Sequence, residues 1–289
     1  MAESTTVDWP RAQQALRDEV QRVTALLRSA PRPTGDALGV WDGADVAMHL
    51  SQVWMAVPGL ARGDLSHLSE IVPTLTGETG PSLISDMEDL SGLTTQAVKS
   101  DDERALSVLA DRIDQRAREF FDESVGRSAG EPRSWILKDA SVPLSTLTCH
   151  LLNETIVHGY DIARMIGQRW RIEPSHAALV LEGFIVPVIR AVDPRAFVNP
   201  DKASGLRATY DVRFRGAGRH LFVFNDGALT VERPSSRKVD CHISADPVAL
   251  LLVTWARKSQ WGPIATGKLV AWGRKPWLGF RFRSLLRIP

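Results

Sequence analysis

Apolar residues in the first 167 positions recur every three to four residues, the interval that puts side chains on one face of an α-helix. Residues 8–29 place Ala12, Ala15, Leu16, Val20, Val23, Leu26 and Leu27 on one such stripe, which Pro31 and Pro33 end. A second helix is predicted from about Ala44 to Leu60, with Asp42 positioned to cap its first free amides. From Ala61 to Ser100 the period fades. Gly63, Pro73, Gly77, Gly80, Pro81 and Gly92, among many Ser and Thr, read as a long loop holding short pieces of helix. The stripe returns over 102–123 with Leu106, Leu109, Ile113, Ala117, Phe120 and Phe121. After a break at Gly126–Pro132, Pro143 stands where a helix start tolerates proline, and a fourth helix runs to about Ile166. Four long helices in series predict an up-and-down four-helix bundle.

Beyond it the period changes. Residues 176–191 read as another helix, and Arg207–Arg215 then alternates polar and apolar residues as a half-buried strand does. Leu221–Phe224 and Leu229–Glu232 flank Asn225-Asp226-Gly227, a hairpin-turn signal. Val239–Ser244 is a further strand, and Asp246-Pro247 opens a helix to about Arg257. Lys268–Trp272 reads as one more strand and Pro276–Leu286 as a final helix. The expected fold is therefore α plus α+β, with a helical bundle over residues 1–170 and an α+β domain over 171–289.

Composition narrows the class of function. The chain has 289 residues, enough for two ordinary domains, and 44% hydrophobic with 24% charged residues is a soluble globular composition. Its 35 basic and 34 acidic residues give no general reason to expect nucleic acid or an anionic membrane as partner, although Arg274 to Arg287 is locally basic. Two distant cysteines, Cys149 and Cys241, fit a reducing cytosol rather than a disulfide framework. Charges interrupt the N-terminus where a signal peptide would be apolar, and no apolar run approaches bilayer length. The expected location is cytoplasmic.

The candidate chemistry sits on the fourth helix. Glu154 and His158, four residues apart, share a stripe with Leu147, Leu151, Ile162 and Met165. His49 occupies a similar position in the second helix, between Val46 and Val53. Burying an unpaired carboxylate is costly, so these groups need partners, and a divalent metal inside the bundle is one answer. His150 lies four residues before Glu154, but about 12 Å along the axis separates it from His158, so the two cannot share an ion. Glu154 with His158 is the preferred pair, because Asp161, three residues on, can accept from the far side of the His158 ring. Two histidines and a glutamate leave open positions, the catalytic pattern for zinc. An ordinary helical salt bridge for Glu154–His158 and a hydrogen-bonded core histidine for His49 are the competing readings. Cys149 reads as a small buried hydrophobe, and Gly216-Ala217-Gly218 as a turn. Trp255, Trp261, Trp272 and Trp277 crowd the C-terminal quarter, either as core packing or as an aromatic wall around a ligand cavity. His67, His176, His220 and His242 suggest no role.

Asp45-Val-Ala-Met-His49-Leu and Leu152-Asn-Glu154-Thr-Ile-Val-His158-Gly-Tyr-Asp161-Ile-Ala resemble the metal-site segments of the mycothiol-dependent maleylpyruvate isomerase family, whose bundle is DinB-like. Ile243-Ser-Ala-Asp-Pro-Val-Ala-Leu-Leu-Leu, followed by Gly262-Pro-Ile-Ala-Thr-Gly267-Lys-Leu-Val-Ala-Trp-Gly273-Arg-Lys-Pro, resembles the sterol-carrier-like domain that often follows that bundle. The likeness spans nearly the whole chain and implies a metal triad of His49, Glu154 and His158. It also implies an actinobacterial type of enzyme with mycothiol, a low-molecular-weight thiol, as cofactor. The family's best-known reaction is cis–trans isomerisation of maleylpyruvate, in which a metal-activated thiolate adds to the double bond, the bond rotates, and elimination follows. The family also uses a C-terminal arginine, for which Arg274 is the first candidate, with Arg281 and Arg283 as rivals; a solvated basic face is the competing reading for each. The implied function is a metal- and thiol-dependent isomerase or thiol transferase acting on a small electrophile. Two alternatives stay open: a carrier of a lipid-like ligand with a structural or vestigial metal, and an interaction protein whose triad only pins two helices.

Overall fold

The computed structural model describes residues 7–30, 36–38, 41–64, 66, 76–77, 80–81, 87–137 and 139–287. The chain divides into two compact units, Met1–Ile172 and Glu173–Pro289. In the first, the long helices among the described residues are α1 (Trp9–Ser29), α2 (Gly43–Arg62), α3 (Met87–Ser100), α4 (Leu106–Glu123) and α5 (Leu144–Met165). Helices α1 and α2 each pack against both α4 and α5. Leu16 and Val23, Leu50 and Trp54, Leu109 and Phe120, Leu147 and Leu151 meet there fully buried, each worth roughly 1.5–3 kcal/mol of burial. Two indole N–H groups tie α5 to its neighbours. Trp9 Nε1 donates to Thr148 Oγ1 at 2.9 Å, and Trp54 Nε1 donates to Thr155 Oγ1 at 3.3 Å.

Helix α2 starts on a reciprocal cap. Asp42 accepts from the Ala44 and Asp45 amides, and Asp45 accepts from the Asp42 amide. It ends at Gly63, whose φ of 81° only glycine adopts without strain. Helix α4 begins at Leu106, four residues later than the apolar pattern indicates. Asp101 accepts from the Glu103 amide and Glu103 from the Ala105 amide, local bonds that compete with a helical turn. The loop expected from Ala61 to Ser100 is corrected at its end, where α3 packs on α2. Residues 65, 67–75, 78–79 and 82–86 of that segment lie outside the described residues. Short antiparallel pairs are β1 (Asp36–Leu38) with β2 (Trp41–Asp42), β3 (Thr76–Gly77) with β4 (Gly80–Pro81) and β5 (Pro132–Ser134) with β6 (Ser141–Pro143), the last leading into α5; alternation over two or three residues is too brief to be read from sequence.

The second unit opens with α6 (Pro174–Val180), a π-helical turn over Leu181–Ile185, and α7 (Val186–Ala191). This stretch is long and apolar enough to pass as a membrane span by length and composition, contrary to expectation, but half of it is buried inside the protein. Five strands follow, β7 (Arg207–Phe214), β8 (Arg219–Asn225), β9 (Ala228–Glu232), β10 (Cys241–Ala245) and β11 (Leu269–Trp272), in the order β11-β10-β7-β8-β9. Only the β10–β7 pairing is parallel. The β8–β9 turn has Asp226 and Gly227 both at positive φ, as a two-residue hairpin requires. Phe282 closes the core, its ring 5.0 Å from Tyr210 and 5.4 Å from Phe222.

The final helix expected over Pro276–Leu286 is corrected to a 3-10 turn, Pro276–Phe280, and a single helical turn, Phe282–Leu285. A Cβ on Gly279 would lie 2.4 Å from Ala271 Cβ of β11, and this close approach accompanies the tighter winding. Core packing of the C-terminal tryptophans is corrected as well, because Trp261, Trp272 and Trp277 are exposed.

Candidate metal centre

Helix α2 carries His49 and α5 carries Glu154 and His158, and their ligand atoms all lie within 4.8 Å of one another. His158 Nε2 and His49 Nε2 stand 3.2 and 3.5 Å from the same oxygen, Glu154 Oε2. The two imidazoles meet edge to face with centroids 4.8 Å apart. The side chains of His49, Glu154 and His158 are 15%, 12% and 8% exposed, so the cluster is withdrawn from solvent yet open at the His49 side.

Around these three lies a ring of supporting contacts. His158 Nδ1 is 3.2 Å from Oδ2 of the fully buried Asp161, leaving Nε2 directed at Glu154. Asn153 Nδ2 donates to Glu154 Oε1 at 3.0 Å, and His150 Nε2 lies 3.6 Å from that oxygen. The two oxygens of Glu154 thus have different company, Oε2 with His49 and His158, Oε1 with Asn153 and His150. The Trp41 ring stands 5.3 Å from His49. Sequence reasoning missed Trp41 and Asn153, which carry no periodic signal; His150, set aside as a ligand, stays outside the three and meets only Glu154 Oε1.

The electrostatics follow from this crowding. Burial by itself would raise the Glu154 carboxyl, but hydrogen bonds from His150, His158 and His49 outweigh it and hold the group well below the carboxylate range. Burial by itself would lower the His158 imidazolium. Asp161 and Glu154 overcome that and raise it to about 9. Cys149, buried in the same helix, has its thiol pushed up to about 12 by desolvation, which fits a hydrophobe better than a nucleophile.

The C-terminal arginines lie in the second unit. Arg274 bonds Asp240, and Lys275 Nζ is 3.2 Å from the same carboxylate oxygen. Arg281 donates to the Lys202 carbonyl, while the half-buried Arg283 donates to the Val253 and Leu286 carbonyls. Two histidines without an expected role are also engaged. His220 meets Glu182 at 2.8 Å and Arg190 at 3.2 Å, and His242 meets Asp211 at 2.7 Å, a carboxylate that also holds Arg219. His67 lies outside the described residues.

Neither a family model nor a curated protein matches the sequence. Among solved structures, the crystal structure of the mycothiol-dependent maleylpyruvate isomerase superposes over 92% of this chain and 93% of its own, with a TM-score of 0.52 and 12% identity. The chain has that enzyme's fold. A histidine-to-alanine mutant of the same isomerase superposes equally, with a TM-score of 0.52 and 11% identity. A ubiquinone-synthesis protein, UbiJ-SCP2, aligns with 40% of the chain at a TM-score of 0.28, too low to establish a common fold.

Proposed function

We propose that this protein is a metal- and thiol-dependent isomerase or thiol transferase, acting on a small electrophilic substrate of the maleylpyruvate type. The observation that carries the reading is the convergence of His49, Glu154 and His158 in a chain with the isomerase's fold. In this reading residues 1–170 are a DinB-like four-helix bundle and residues 171–289 a sterol-carrier-like α+β domain, in a cytoplasmic enzyme. Two imidazole nitrogens and one carboxylate oxygen form a donor set that suits zinc and leaves positions for other ligands. A divalent cation held there lowers the pKa of a coordinated thiol such as mycothiol, and so supplies a thiolate at neutral pH.

The chain's own residues do the rest. Asp161 holds the His158 ring by Nδ1, so Nε2 would be the atom to hold a cation, and Asn153 with His150 engages Glu154 Oε1, so Oε2 would be the carboxylate donor. Arg274 is proposed to bind a substrate carboxylate. Its present partner is the Asp240 carboxylate, so binding substrate means exchanging one carboxylate for another.

The test is maleylpyruvate isomerisation by the full chain with and without mycothiol, alongside elemental analysis of wild type and Glu154→Ala. Thiol-dependent turnover and one zinc per chain, lost in the variant, are expected. Equal rates without thiol would remove the thiol mechanism, and undiminished metal in Glu154→Ala would remove the ligand assignment. A protein that binds metal and thiol but leaves maleylpyruvate unchanged would reject that substrate alone.

A further inference from the structure

The near-neutral net charge of +1 conceals a segregation. From Pro247 to the end the chain holds eight Lys or Arg and no Asp or Glu, which leaves residues 1–246 with an acidic excess. The same stretch holds most of the exposed apolar surface. Among the described residues seven large hydrophobics are exposed. Five of them, including all four aromatics, are Trp261, Val270, Trp272, Trp277 and Phe280. Trp261, Trp277 and Phe280 are 60%, 58% and 48% exposed.

Three of these rings form one patch. The Trp261 and Phe280 rings lie 5.7 Å apart, and Gln260 Nε2 donates to the Phe280 carbonyl at 3.0 Å, joining the two segments. Trp277 and Phe280 are three residues apart in a 3-10 turn, where such positions eclipse on one side. Lys258 and Lys268 flank the patch in sequence and have no carboxylate partner among the described residues, and the Lys268 amide bonds Pro263 two residues past Trp261. Exposed aromatic surface of this kind needs an occupant.

We propose that this patch docks the protein on an anionic lipid surface, with Trp261, Trp277 and Phe280 entering the headgroup layer and Lys258 and Lys268 facing the lipid charges. The inference is independent of the reaction proposed above. Tryptophan with flanking lysine is the composition that settles at a membrane interface, where an amphipathic ring and a snorkelling cation are both satisfied. A second copy of the same face would bring like charges together. Nucleic acid requires many free cations along its backbone, whereas here Arg274 and Lys275 are already held by Asp240 and Arg283 by two carbonyls.

The experiment is sedimentation of the full chain with vesicles of phosphatidylcholine alone, or of phosphatidylcholine mixed with phosphatidylserine, at low and high salt. Wild type is expected to partition at least about tenfold more strongly onto the anionic vesicles at low salt, and salt should reverse this. Trp261→Ser with Trp277→Ser should lose about tenfold with little change in the thermal melt, since both rings are more than half exposed. Lys258→Glu with Lys268→Glu should abolish the preference for anionic vesicles. No binding to anionic vesicles, or equal partition of wild type and the tryptophan variant, would overturn the proposal. So would light scattering that finds a dimer which the tryptophan variant breaks, or tight binding to single-stranded RNA without binding to vesicles.

Discussion

Replacing Glu154 with Gln keeps the shape of the side chain and removes the charge on which three histidines converge. Without a metal, His158 stands raised to about 9 against its ordinary 6.5. A base raised in the folded state contributes stability that is fully present below about 6.5 and is lost as pH climbs through about 9. The difference corresponds to about 3 kcal/mol, set by Asp161 and Glu154 against the opposing cost of burial. Glu154 has the opposite sign: its depressed carboxyl stabilises the fold above the ordinary range near 4.5, and that share is lost as pH falls through the folded value. The Glu154–His158 attraction is one free energy seen from either partner, so Glu154→Gln should remove roughly half of the His158 contribution, on the order of 1–2 kcal/mol. Urea unfolding with chelator present, at pH 6 and pH 10, measures it. Wild type is expected to lose about 3 kcal/mol of stability through His158 across that interval, and Glu154→Gln about 1–2 kcal/mol less than wild type. Parallel pH profiles for the two proteins would refute the claim that Glu154 holds His158 in its charged form.

Three further outcomes are expected. His150→Ala should weaken zinc binding about tenfold in a competition titration without unfolding the protein, because Glu154 Oε1 loses one of its two supports; unchanged affinity would make His150 a bystander. Gly159→Ala should destabilise the protein by about 1–3 kcal/mol in thermal unfolding, since a Cβ there meets Trp170 at 2.7 Å. Neither Cys149 nor Cys241 should react with iodoacetamide at pH 8 in the native state, because burial pushes their thiols up to about 12 and about 11; rapid labelling of either would contradict the packing.

Much of this architecture is legible in the sequence where a pattern is long enough to repeat. The stripes of α1, α2, α4 and α5 each span several turns, and a histidine or glutamate inside such a stripe is conspicuous because burial there demands a partner. That is why His49, Glu154 and His158 can be chosen from spacing, and why Asp161 can be paired with His158. What escapes the eye lacks periodicity or depends on distant contacts. Helix α3 lies in a segment whose Gly, Ser and Thr content argues for a loop. Trp41 reaches His49 from a two-residue strand, and Asn153 matters only because Glu154 is its neighbour. The C-terminal tryptophans fail in the other direction, since composition gives no account of which face of a short turn is left in water.

The π-helical turn at Leu181–Ile185 holds one residue more than an α-helix of the same height needs. Such a turn is what a single-residue insertion leaves behind when the helix on each side keeps its old contacts. Pro187, which has no amide to donate, follows the turn, so removing one residue would set a proline in the interior of a regular helix while leaving the flanking contacts in place. Within the turn, however, side chains would rotate by about 100°. Glu182 would leave the Gly218 amide and His220, a position fitted so closely that a Cβ on Gly218 would lie 2.2 Å from its oxygen. The extra residue therefore eases the passage of Pro187 and aims one carboxylate. Losing it would disturb the polar edge of the sheet and burden the helix at Pro187 together.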